Sequence, residues 1–213
     1  MLHIVKDQET LEYNLLNPET GQLLFKEWVN FIEKKYMRNC VPGVDPTVNC
    51  TFFIISKYIK SALSHKYMQD LLDENGNTIA SGRGIKIWFE GSAENPPILC
   101  VRLESKDKNG KEVFKEILTD FGGTALTDRG YDEIESYNGI PYWRNYIKVL
   151  DEGKMNFIRR SDYTLLSPTW FDKNIHNHAY DNDPNYVATV KYRGRWRHLY
   201  ADGTMSEPIK QYA

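Results

Sequence analysis

Thr51-Phe52-Phe53-Ile54-Ile55-Ser56-Lys57-Tyr58-Ile59-Lys60-Ser61-Ala62-Leu63 is the most apolar stretch of this chain, and its reading decides the fold. Lys57 and Lys60 interrupt it, and it is too short to span a bilayer, so no membrane partner is expected. Phe52, Ile55, Ile59 and Ala62 recur at helical spacing, which predicts a helix over 51–73. Asn49 is the candidate cap of that helix, and Asn75-Gly76 ends it.

A first helix is expected upstream. Asn17-Pro18 supplies a cap and a first-turn proline, and Leu24, Trp28, Phe31 and Ile32 form one apolar stripe over 22–38. Pro42, Gly43 and Pro46 then break the chain. Downstream the period becomes two. Ile85, Ile87 and Phe89 alternate with Lys86, Trp88 and Glu90, and Leu99, Val101 and Leu103 with Cys100, Arg102 and Glu104. Asn109-Gly110 predicts a tight hairpin returning through 113–119. A short helix fits 142–150, and strands return near 156–166 and 186–200. The expected fold class is therefore α+β, an N-terminal helical pair packed on a mainly antiparallel sheet. One domain is expected over 1–213, with a sub-boundary near 76–84. No internal repeat, low-complexity tract or linker is evident.

With 41% hydrophobic residues and 13% aromatics, the chain has a globular composition, well away from disorder. Its net charge of -2 excludes a globally basic nucleic-acid binder while leaving room for a local basic patch. Cys40, Cys50 and Cys100 are odd in number and lack metal-ligand spacing. The N-terminus also lacks a signal-peptide pattern. Together these predict reduced thiols in the cytoplasm or another reducing compartment.

Four places carry candidate chemistry. Lys191-Tyr192-Arg193-Gly194-Arg195-Trp196-Arg197-His198-Leu199-Tyr200 holds four cations and no acid. In an extended chain Lys191, Arg193, Arg195 and Arg197 share one parity, and Tyr192, Trp196, His198 and Tyr200 the other. Lys191, Arg193, Arg195, Trp196 and Arg197 are accordingly the candidate polyanion-binding residues, since a phosphate backbone with stackable bases needs cations beside aromatics. The alternative is a surface hairpin turning at Arg193-Gly194. Second, His176, His178 and Asp181, flanked by Asp172 and Asp183, are candidate ligands of a divalent metal.

Third, Glu104-Ser105-Lys106 at a strand end, with Glu90 closing the strand before, resembles the metal-and-water site of PD-(D/E)xK nucleases. That resemblance implies acids holding a metal and a lysine stabilising developing negative charge. Phe121-Gly122-Gly123 after a hairpin, with Asp128 beyond it, is similar to the entry of the Nudix hydrolase fold. The segment 129–137 reads Arg-Gly-Tyr-Asp-Glu-Ile-Glu-Ser-Tyr, so the resemblance implies a degenerate Nudix-like fold. The acids Asp128, Asp132, Glu133 and Glu135 otherwise read as a solvated face or a patch for a basic partner.

No complete catalytic motif is present. The leading expectation is a non-enzymatic binding or assembly protein, viral or phage-derived on its Lys/Asn/Tyr-rich composition, with a protein partner or self-association. The alternatives are a nucleic-acid-binding protein and a metal-dependent phosphoesterase or nuclease.

Overall fold

The computed structural model describes residues 1–38, 49–61, 64–88, 98–135, 145–175 and 183–210. Among them are sixteen strands and no α-helix: β1 His3–Lys6, β2 Tyr13–Asn17, β3 Gln22–Leu23, β4 Phe31–Arg38, β5 Asn49–Ser61, β6 Ser64–Leu72, β7 Thr78–Gly82, β8 Gly84–Trp88, β9 Ile98–Lys106, β10 Glu112–Thr119, β11 Glu133–Glu135, β12 Tyr146–Asp151, β13 Lys154–Arg159, β14 Lys173–Ile175, β15 Tyr186–Tyr192 and β16 Arg195–Tyr200. They form five small antiparallel sheets: β1–β2–β3, β4–β5–β6–β7, β8–β9–β10, β11–β12–β13 and β14–β15–β16. The chain divides into two compact units, Met1–Leu126 and Thr127–Ala213. No helix among the described residues is long and apolar enough to cross a membrane.

The expected helical pair is therefore corrected, and the α+β class with it. Within that stretch 51–61 belongs to β5 and 64–72 to β6, paired from Phe53↔Leu72 to Ser61↔Ser64. Its apolar run lacks a two-residue alternation because β5 is covered on both faces. Phe52 and Ile54 pack with Leu71, Ile85, Leu99, Val101 and Phe121. Phe53 and Ile55 pack with Leu2, Leu15, Val29, Ile32 and Leu72. A strand buried on both sides reads as a continuous apolar run, and such a run also contains residues at helical spacing. β-Branched and aromatic content favours the strand.

The stripe over 22–38 fails for a second reason. The Asn17 side chain accepts the Glu19 amide at 2.9 Å, and Gly21 (φ 69°) closes a hairpin turn between β2 and β3. Asparagine at a turn and at a helix cap uses the same side-chain-to-amide bond, so the residue alone does not distinguish them. Asn75-Gly76 likewise turns between β6 and β7, and 146–151 is β12 instead of a short helix.

One arrangement occurs five times among the described residues. A strand ends, a closing turn follows, and a short return segment pairs back on it: Leu16↔Leu23, Leu72↔Thr78, Thr119↔Ala125, Ile158↔Leu165 and Leu199↔Met205. The agreement is tightest between the first and fourth modules. Tyr13 and Val29 exchange two backbone bonds, as do Met155 and Phe171. Asn14 Nδ2 donates to the Phe25 carbonyl, and Asn156 Nδ2 to that of Ser167. Each residue of the later set stands 142 positions after its counterpart. Over the two modules Asn14, Leu23, Leu24 and Trp28 recur as Asn156, Leu165, Leu166 and Trp170. The sequence therefore does hold an internal repeat, carried by turn geometry and a few side chains at uneven intervals.

Within each unit the modules stack the same way. The turn glycine of one module faces the return segment of the module before it. Gly76 lies against Leu24, Gly123 against the Ile79 carbonyl and Gly203 against the Leu166 carbonyl. In the second unit Met155 and Phe157 of β13 pack with Val187, Ala188, Val190 and Leu199 of β15 and β16.

Candidate functional site

The C-terminal sheet carries the basic-aromatic segment. β15 and β16 turn through Arg193 (φ 48°) and Gly194 (φ 77°), with Tyr192 and Arg195 paired across the turn. Two consecutive positive φ values are the signature of the tight hairpin whose twist matches its strands.

Because the chain reverses there, parity does not carry across the turn. Directly paired residues share a face, so Lys191 lies with Trp196, and Val190 with Arg197. The register of β14 adds Lys173 opposite Lys191. One face thus carries the row Lys173, Lys191 and Trp196, with Thr189 and His198 in the next row. The Lys191 ammonium sits 5.9 Å from the Trp196 ring centre, a cation–π contact.

The other face is the inner one. Ala188, Val190 and Leu199 enter the core, and Tyr192 packs against it. Arg195 and Arg197 belong to that side. Arg197 Nη1 donates to the Ser206 carbonyl at 2.8 Å. The Arg193 guanidinium lies over the Tyr192 ring at 5.1 Å. Of the candidate polyanion-binding residues, the structure brings Lys191 and Trp196 together, places Arg193 in the turn and sends Arg195 and Arg197 to the opposite face. Lys173 escapes a sequence reading because only the β14–β15 register reveals it.

The face is polar but not uniformly open. His198 is buried, and its Nδ1 lies 3.1 Å from Thr189 Oγ1, which is 2.9 Å from the Tyr186 hydroxyl. Burial holds the imidazole pKa below its ordinary value and favours the neutral ring. Lys173 is exposed, and Lys191 and Trp196 are half-buried. The strand residues sharing their face include no acid. Asp172, on the other parity, pairs with Lys154, whose hydrogen bond holds that carboxyl below the usual range.

The metal candidates His176, His178 and Asp181 lie outside the described residues. Asp172 is committed to Lys154, and Asp183 accepts the Asn185 amide at 2.9 Å in a turn. Among the described residues no group of three His, Cys, Asp or Glu side chains could hold a metal ion. Glu104 pairs with Arg83 at 2.7 Å. Lys106 is exposed at the end of β9, whose chain turns directly into β10 instead of a crossover helix. Glu90 lies outside the described residues.

Phe121-Gly122-Gly123 is one of the closing turns. Asp120 accepts the Gly122 and Thr124 amides at 2.8 Å each, Phe121 enters the core and no helix follows among the described residues. Of the acids beyond it, Glu135 pairs with Lys148 at 2.9 Å and Asp132 accepts the Glu152 amide at 2.7 Å.

A buried carboxylate on the third sheet is invisible in the sequence. Glu116 is 1% exposed. Arg102 Nη2 reaches it at 2.7 Å and Lys86 Nζ at 3.0 Å. The Cys100 thiol donates to its other oxygen at 3.6 Å. Burial, then the Glu116 charge, pushes the Cys100 pKa up to about 12, so this thiol is a protonated core group and a poor nucleophile. Cys50 is a half-buried free thiol, and Cys40 lies outside the described residues.

No known protein-family model matches the chain, and no curated protein matches it in sequence.

Proposed function

We propose that this chain is a non-enzymatic binding or assembly protein whose modules form a scaffold. The observation that carries the reading is the fivefold recurrence, among the described residues, of one turn-closed β module. Quasi-repetitive stacks of this kind suit extended contact surfaces. Exposed aromatics supply anchors: Phe31 is 51% exposed, Tyr36 62% and Tyr67 51%, all in the second module. Tyrosine and other aromatics favour interface centres.

The test is affinity capture with the full-length chain, run beside light scattering for self-association. Stoichiometric capture of a partner, or of the chain itself, should be lost on Phe31→Ala with Tyr36→Ala. Metal-stimulated hydrolysis of nucleotides or phosphodiesters by the purified protein would overturn the reading.

A further inference from the structure

We infer that the polar face of the C-terminal sheet, at its turn end where Lys173 is exposed and Lys191 and Trp196 half-buried, binds single-stranded nucleic acid. The inference rests on the binding-protein reading and names its ligand. The three residues lie in one register row across β14, β15 and β16. Adjacent strands are roughly 4.8 Å apart, so two cations and an indole succeed one another along a line crossing the strands. Lysines supply phosphate contacts and an indole supplies a surface on which a base stacks whatever its sequence. A sheet face bearing aromatics is an established way to hold unpaired bases.

One further observation favours this ligand. The strand residues that share the face, Ile175, Thr189, His198 and Tyr200, include no acid to repel a phosphate. Asp172, of the other parity, lies close to the row: its carboxyl is held by Lys154 and also feels the Lys191 charge. Arg195 of the same hairpin provides an internal control, because it is exposed but lies on the opposite face of the sheet from Lys191 and Trp196.

The experiment is fluorescence anisotropy of a labelled, mixed-sequence single-stranded oligonucleotide with the full-length protein at about 50 and 200 mM salt. Affinity should fall steeply with salt. Lys173→Glu with Lys191→Glu should weaken binding at least about tenfold and flatten the salt dependence by about two charges. Trp196→Ala should cost about tenfold. Arg195→Glu carries the same charge change as Lys191→Glu and should cost much less. Circular dichroism and melting of each variant establish that the sheet is intact.

No binding at 50 mM salt overturns the inference. So does equal loss from Arg195→Glu and Lys191→Glu, or binding of phosphatidylserine vesicles in place of the oligonucleotide. If the oligonucleotide fails while Phe31/Tyr36-dependent capture persists, the scaffold reading stands and the ligand assignment alone falls.

Discussion

Glycine in the closing turns meets two demands that differ in strength from turn to turn. Gly110 and Gly203 both hold left-handed backbone, with φ of 79° and 86°. A Cβ on Gly110 would meet nothing within 4 Å, whereas one on Gly203 would stand 2.2 Å from the Leu166 carbonyl oxygen. Gly110→Ala should therefore cost about 1 kcal/mol, the conformational penalty alone. Gly203→Ala must also push two stacked modules apart, and should cost several times more, about 3 kcal/mol or above. Paired thermal melts check this, and equal shifts for the two variants would refute the stacking role. Leu11, Tyr163, Glu152 and Arg193 also take positive φ without being glycine. Each sits in a hairpin turn, and this is why counting glycines from the sequence finds only part of the turns.

At the scale of the element, legibility followed burial. β8, β9 and β10 were readable because their alternation survives, and Asn109-Gly110 marks their hairpin. β5 was not, since two cores claim its two faces and erase the period. Glu116 was equally hidden: nothing local distinguishes it from Glu112, which is exposed on the same strand. Its environment shows in the behaviour of Cys100. The unfolded thiol ionises near its ordinary pKa of 9.0, whereas the folded one keeps its proton to about 12. Between those values the unfolded chain binds fewer protons, so stability should fall as pH rises from 9 toward 12. Denaturant titrations over that range should show the slope in the wild type, reduced in Cys100→Ala. Iodoacetamide at pH 9 should modify Cys50 well before Cys100. Fast labelling of Cys100 in the folded protein would contradict its burial.

For the whole molecule, the repeat was the least legible property and the one that organises the rest. Modules two to five follow one another at unequal intervals, and the first and fourth share only a handful of identities, among them Asn14/Asn156 and Trp28/Trp170. Backbone bonds preserve the pattern where side chains do not. The candidate site was legible as a composition, four cations among aromatics, but its faces depended on the turn and on Lys173. Since each unit has its own apolar clusters, damage to one should stay largely local. Under native hydrogen exchange, Gly203→Ala should speed exchange in β13–β16 and leave β5 amides near wild-type protection. Uniform loss of protection across both units would show a single cooperative block. The doubly covered run Thr51–Ser56 has one more consequence, for the chain before it folds. Five residues of high strand propensity followed by a serine, with no charge among the six, are well suited to pairing with their counterparts on other chains. Lys57 and Lys60, directly after them, stand where charges commonly discourage such growth. Replacing those lysines with neutral residues would thus endanger the nascent chain far more than the finished protein.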